Sequence, residues 1–161
     1  MARDKDNSAG RAARIVNRKA RHDYAVAEVV ECGLELVGTE VKSLRAGQAK
    51  IDEAYARVRG GEVFLVGVNI APYPMAAAAM QHDPARQRRL LLHRRQIRQL
   101  ESHVRQKGRT LVPLAIYFKD GWAKCELGLV VGKRSYDKRE SLKRRQQDRD
   151  IAREMRRRRR E

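Results

Sequence analysis

Leu111-Val112-Pro113-Leu114-Ala115-Ile116-Tyr117-Phe118-Lys119, then Asp120-Gly121, then Trp122-Ala123-Lys124-Cys125-Glu126-Leu127-Gly128-Leu129-Val130-Val131: two apolar runs flank an Asp-Gly pair. Asp-Gly best satisfies the two positive φ angles of a type I′ turn, whose twist matches that of antiparallel strands. The stretch predicts a long β-hairpin. The same pattern recurs upstream. Ala54, Ala56 and Val58 alternate with Tyr55, Arg57 and Arg59 before Gly60-Gly61, and Val63 to Ile70 returns as a second hairpin. Val26, Val29 and Val30 lead to Gly33, and Leu34, Leu36 and Val37 to Gly38, as strand; Arg88 to Leu92 reads as one more.

Helical spacing occurs twice. A short helix is expected over 40–46, with Thr39 as N-cap, Glu40 in its first turn and Gly47 as its stop. A longer one is expected from about Arg94 to Lys107, with Ile97, Leu100 and Val104 on one stripe and Gly108 after it. The 71–85 connection between the hairpins holds three of the four prolines. Six or seven short antiparallel strands with one interposed helix and one short helix make a mainly β fold. A small Greek-key barrel of the oligonucleotide-binding kind, which closes its own edges, fits that order. A split sheet with the helix on one face is the alternative.

The chain has 161 residues and a formal net charge of +17, from 37 Lys/Arg against 20 Asp/Glu. Residues 1–20 read as a mobile basic arm, 21–131 as the folded barrel and 132–161 as a tail with 14 Lys/Arg and 6 Asp/Glu. The tail ends in the arginine run 156–160 before Glu161. As a helix it would place Leu142 and Ile151 on opposite faces, so it has charge pairs but no stripe to bury. It is expected to be disordered alone and helical on an anionic template. A basic body joined to a basic tail points to nucleic acid held at two places. No stretch reaches the ~20 apolar residues of a membrane span, and the N-terminus lacks the apolar run of a secretory signal. A cytoplasmic location without a membrane partner follows. Cys32 and Cys125 lack metal-site spacing and read as small buried thiols.

The candidate contacts are few. In Asn17-Arg18-Lys19-Ala20-Arg21-His22-Asp23-Tyr24, the cations Arg18, Lys19 and Arg21 suit phosphates, while Asn17 and His22 suit base edges or 2′-hydroxyls. Glu31 and Glu40 are either acid/base or metal carboxylates, acceptors for guanine or cytosine amino groups, or plain surface charge. His22-Asp23 and His82-Asp83 invite a nuclease reading, but neighbours on an extended chain face opposite ways. No phosphate loop, nucleophile elbow or metal motif is present, so no catalytic residue, metal or cofactor is expected. Aromatics are scarce. Phe64, Phe118 and Trp122 read as core or rim, so the chain suits structured RNA better than a bare single strand.

Six stretches together resemble the SsrA-binding protein (small protein B) family. They are 17–24 above, Gly38-Thr39-Glu40-Val41-Lys42-Ser43-Leu44-Arg45-Ala46-Gly47, Asp83-Pro84 through Leu90-Leu91-Leu92, Leu111-Val112-Pro113-Leu114, Glu126-Leu127-Gly128, and Asp137-Lys138-Arg139-Glu140. They fall in order over about 14–155. The resemblance implies a barrel that binds the tRNA-like domain of transfer-messenger RNA and delivers it to the A site of a stalled ribosome. It implies that the tail enters the vacant mRNA channel along small-subunit ribosomal RNA, and that elongation factor Tu and alanyl-tRNA synthetase act through the RNA. It further implies a monomer without catalytic function. Glu31, Leu91 and His93 fall at RNA-face positions, with Asn17 and Tyr24 nearby. Gly132, Tyr136, Asp137, Lys138, Arg139 and Met155 fall at positions of ribosome and decoding contact. Position 93 is His where relatives often have Asn, and position 136 is Tyr where some have His. A ribosome-associated structural or assembly protein on ribosomal RNA is the alternative function.

Overall fold

The computed structural model describes residues 13–133, 145–147 and 149. In chain order its elements are β1 (Ile15–Val16), α1 (Arg18–Asp23), β2 (Tyr24–Leu34), α2 (Gly38–Arg45), β3 (Ala49–Lys50), β4 (Tyr55–Arg59), β5 (Glu62–Val66), β6 (Asn69–Ile70), β7 (Arg88–Leu91), α3 (Arg94–Val104), β8 (Arg109–Lys119) and β9 (Trp122–Gly132), with a 3-10 turn at Ala78–Met80. The Asp120-Gly121 turn forms as its chemistry requires, with φ of 51° and 80°. It pairs Lys119 with Trp122 and carries the ladder back to Arg109 opposite Val131.

Antiparallel pairings run β8–β4–β5–β7–β2–β9, and β9 returns to β8, so six strands close a ring. β1 is added to β8 where β4 leaves off, Ile15 opposite Ile116 and Val16 opposite Ala115. The mainly β, antiparallel reading therefore holds. The N-terminal boundary does not: β1 and α1 belong to the folded body, so a mobile arm reaching residue 20 is corrected to a fold that begins by residue 15. The physical reason is Asn17. Its Oδ1 accepts the Ala20 amide (2.8 Å) and its Nδ2 donates to the Ile51 and Pro113 carbonyls, both at 3.0 Å. One N-cap thus ties the chain entry to strand β8 at Pro113 and to the segment after β3 at Ile51.

Leu111 and Ile116 face the barrel interior with Leu65 and Leu127, whereas Val112 and Leu114 lie outside it with Ala20, Val130 and Tyr24. Odd and even positions swap faces because the β8–β9 register slips between Pro113 and Ala115. That bulge also accommodates a proline, which has no N–H for the ladder. Outside the barrel, Leu114 covers Gly128, where an added Cβ would stand 2.9 Å from Leu114 Cδ1. Gly128→Ala is expected to destabilise the body by about 1–3 kcal/mol, through displacement of Leu114 beneath α1. Urea unfolding measures this; unchanged stability would mean that Leu114 can move aside freely. Inside, Cys32 and Cys125 are directly opposite, buried and unbridged. The Cys32 contact and burial push the Cys125 thiol well up, which keeps it neutral.

Ionic groups hold α2 to the barrel. Glu40 and Arg88 are both fully buried. Arg88 Nε donates to Glu40 Oε1 at 2.9 Å, Arg86 reaches both carboxylate oxygens at 2.8 and 2.6 Å, and the Val37 amide donates to Oε2 at 2.9 Å. The remaining Arg88 nitrogens meet the carbonyls of Val68 (2.7 Å), Arg86 (2.8 Å) and Pro84 (2.9 Å). Glu40 is therefore neither a site carboxylate nor a surface charge. Burial alone would push its carboxyl up, but hydrogen bonds from Arg86, Val37 and Arg88 outweigh this and hold it below its ordinary 4.5. The helix starts at Gly38 with Val37 as N-cap, not at Thr39. Thr39 instead holds His82, whose Nδ1 is 2.8 Å from Oγ1 and whose Nε2 is 3.0 Å from the Ile70 carbonyl. A carbonyl only accepts, so Nε2 carries a proton, and both ring nitrogens are engaged.

Candidate nucleic-acid interface

Side chains alternate across a strand, so the register that buries Cys32, Cys125 and Ile116 turns their neighbours outward. One row crosses four strands: Leu91 on β7 opposes Gly33 on β2, Gly33 opposes Lys124 on β9, and Lys124 opposes Tyr117 on β8. Gly33 has only a hydrogen there, and Leu91 lies over it, its Cβ 3.1 Å from where a Gly33 Cβ would be. Leu91 is half exposed at 49% even so. An apolar knob held proud of a polar face is suited to contact with a ribose or base edge. His93 follows two residues later, exposed, with its backbone N–H donating to Gln96 Oε1 (3.0 Å) at the start of α3.

Glu31 sits one row along, opposite Glu126. Two adjacent carboxylates would repel, and the surrounding groups neutralise them. Glu126 is paired with Arg14 at 2.7 Å, and the Arg14 guanidinium lies 4.6 Å from the centre of the Tyr117 ring. The Tyr117 hydroxyl donates to Glu31 Oε2, and Lys119 Nζ stands 3.4 Å from Oε1. The Tyr117 bond, with Lys119 and Lys124 behind it, holds the Glu31 carboxyl below its ordinary value; desolvation and then Glu31 push the Tyr117 hydroxyl up to about 12. At neutral pH Glu31 is an ionised acceptor with a fixed orientation and lone pairs to spare. Glu31→Ala is expected to weaken RNA binding, although it removes negative charge, because a charge-assisted acceptor is lost. Titration of labelled RNA measures it. Tighter binding by the variant would put Glu31 off the interface.

The other sequence candidates gather elsewhere. Arg18, Lys19, Arg21 and His22 lie on α1, and Tyr24 caps that helix at the far end of β2 from Glu31. Seven residues of extended chain separate Tyr24 from Glu31, about 23 Å. The residues read as one RNA-binding set are therefore two clusters. Arg18 and Arg21 are exposed and suited to phosphates. Lys19 is paired with Glu53 at 2.5 Å, which raises its pKa. Asn17 is 1% exposed with its side chain fully used, so it is corrected from a reader of RNA to the N-cap of α1. His22 Nδ1 lies 3.0 Å from Asp23 Oδ1. The expectation that these neighbours point apart assumed extended chain; they end a helix and meet.

Gly132 closes β9 opposite Tyr24, and Lys133 then donates from its backbone to Asp23 O (3.0 Å) and from Nζ to Arg21 O (3.1 Å). The basic tail thus leaves beside α1, not beside Leu91. Tyr136, Asp137, Lys138, Arg139 and Met155 lie outside the described residues; 145–147 and 149 are helical and exposed. The sequence reading missed Arg14, Tyr117, Lys119 and Lys124. The signal was available: once Asp120-Gly121 fixes the turn, Tyr117 must oppose Lys124 and both must face away from Cys125.

Three kinds of likeness bear on this geometry. A model of the SmpB protein family matches residues 14–157. The SsrA-binding protein of Gloeothece citriformis is 52% identical over 141 residues, 88% of this chain and 91% of that one. Its counterpart from Synechocystis sp. is 54% identical over 88% of this chain and 92% of its own, and that of Streptococcus pneumoniae 52% over 86% and 89%. A solved structure described as "tmRNA-SmpB: a journey to the center of the bacterial ribosome" superposes with a TM-score of 0.65 at 48% identity, over 81% of this chain and 95% of its own. The family match spans the barrel, the Leu91 face and most of the tail, and this chain belongs to the SmpB protein family.

Proposed function

We infer that this chain binds the tRNA-like domain of transfer-messenger RNA and brings it to stalled ribosomes for trans-translation. The observation that carries the reading is spatial. Glu31 and Leu91 share one exposed barrel face, while the cationic tail departs at the opposite end beside Arg21. One end grips an RNA and the other offers a basic strand to a second polyanion, the arrangement of an adaptor. The barrel supplies hydrogen-bond acceptors, an apolar knob and lysines. These suit the exposed minor groove, 2′-hydroxyls and unstacked bases of folded RNA. In this reading the tail lies along small-subunit ribosomal RNA in the mRNA channel, and Tyr136 to Arg139 meet the decoding centre. Elongation factor Tu and alanyl-tRNA synthetase are partners only through the RNA, and the chain acts as a cytoplasmic monomer. No helix among the described residues is long and apolar enough to cross a membrane.

The role is binding and positioning rather than catalysis. Of the two His-Asp pairs that suggested a nuclease, His82 has both ring nitrogens engaged by Thr39 and Ile70, and His22 meets Asp23 at the end of α1. Peptide tagging in a reconstituted system with ribosomes stalled on a truncated message tests the reading. Added full-length chain should start tagging by aminoacylated transfer-messenger RNA. Tagging that proceeds equally without it would refute the role.

A further inference from the structure

Trp122 is 73% exposed, although it is the bulkiest side chain of the β8–β9 hairpin and the chain's single tryptophan. An isolated exposed apolar residue needs no explanation. Trp122 differs because of where the register puts it. Trp122, Lys124 and Glu126 alternate with buried Cys125 and Leu127, so the indole projects from the same outer face as the Leu91–Gly33–Lys124–Tyr117 row. It lies two residues beyond Lys124, and roughly 12 Å from Leu91 at ordinary strand spacings. Lys119 stands directly opposite it, and the adjacent Asp120-Gly121 turn holds the tip in one conformation. Lys119 reaches back to Glu31, which leaves an open aromatic face at the hairpin tip beside Lys124, a shape and charge that fit a planar group joined to a phosphate.

We propose that Trp122 is a stacking platform for one unpaired base of the bound tRNA-like RNA, with Lys124 on a flanking phosphate. The inference rests on the RNA-binding reading above and adds a contact to it: the hairpin tip. A duplex cannot supply the partner, because its bases are already stacked on both faces. The platform therefore selects for a loop nucleotide turned out of the helix. Charge favours this occupant over an apolar protein surface, since Lys124 beside the indole would lose its hydration against such a surface without gaining a counter-charge.

Because there is one tryptophan, its fluorescence reports on this site alone. The full-length chain is titrated with the isolated tRNA-like RNA and, separately, with a loopless, fully paired RNA stem of two strands of similar length; binding is followed in parallel by mobility shift. The tRNA-like RNA should quench the emission with the same midpoint as the mobility shift, and the paired stem should not quench it. Trp122→Ala should weaken binding about tenfold, the loss of one base stack, and Trp122→Phe should restore most of it. Binding without quenching, or unchanged affinity of Trp122→Ala, overturns the platform and leaves the RNA-binding reading standing. Quenching by ribosomes but not by the tRNA-like RNA overturns it as well, by assigning the indole to ribosomal RNA. Absence of any binding to the tRNA-like RNA overturns both.

Discussion

Arg88→Ala is expected to lower the stability of the barrel by about 3–5 kcal/mol, the cost of removing one partner from a buried ionic network. The variant takes one of two guanidinium partners from the fully buried Glu40 and leaves the carbonyls of Val68, Arg86 and Pro84 without the donor that satisfies them. Arg86 still reaches Glu40, so a second expectation follows: Arg86→Ala, at a partly exposed position, costs less. Urea unfolding of both variants measures this. If Arg88→Ala costs under about 1 kcal/mol, the network does not hold α2 to β7. The same group makes stability pH-dependent. Glu40 titrates below its ordinary 4.5 in the folded chain. Its contribution is therefore complete above about pH 4.5 and is lost as pH falls through the depressed folded value. Unfolding midpoints should decline from about pH 4.5 downward, more steeply in the parent chain than in Glu40→Gln.

Truncation after Lys133 is expected to abolish peptide tagging while leaving the barrel folded and bound to tRNA-like RNA. The cut keeps the two Lys133 contacts to Asp23 and Arg21, so the body loses none of its described anchoring. It removes the arginine run and Tyr136 to Arg139. Tagging on stalled ribosomes and RNA titration are read side by side on one preparation. Tagging that survives would make the tail dispensable, and lost RNA affinity would mean that barrel and tail form a single RNA surface. The distance between α1 and the Leu91 face argues for two.

How far the sequence revealed this depends on whether each feature is local. The β8–β9 hairpin was legible because two adjacent residues dictate a turn and the turn dictates the register. Gly47 marks the end of α2 for the same reason, with φ of 74°, whereas α3 stops at Val104, short of the expected Lys107, and Gly108 (φ 84°) lies in the turn beyond it. β1 and α1 were not legible. Ile15 and Val16 are the only neighbouring large apolar residues near that end, and the helix has one buried side chain, Ala20. Asn17 was the available clue, an N-cap mistaken for a nucleic-acid reader. Glu40 and His82 could not be placed from sequence, because a buried charge or imidazole is decided by its partners. Those partners lie 48 residues away at Arg88 and 43 away at Thr39. The exposed row fell between these cases. Its β8–β9 half follows from the turn, but the addition of Leu91 through Gly33 is a long-range pairing with no local signal. The resemblance to SsrA-binding proteins supplied Leu91, and it separated Glu31 from Glu40, which the residues alone had left together as candidates.

The central claim is the identity of the RNA, and sequencing the RNA that co-purifies with the full-length chain from its own cells tests it most directly. The account predicts that transfer-messenger RNA dominates the recovered RNA after a wash that removes ribosomes, and that Glu31→Ala depletes it. Ribosomal RNA alone, retained equally by the parent chain and by Glu31→Ala, would contradict the account and favour a structural or assembly role on the ribosome.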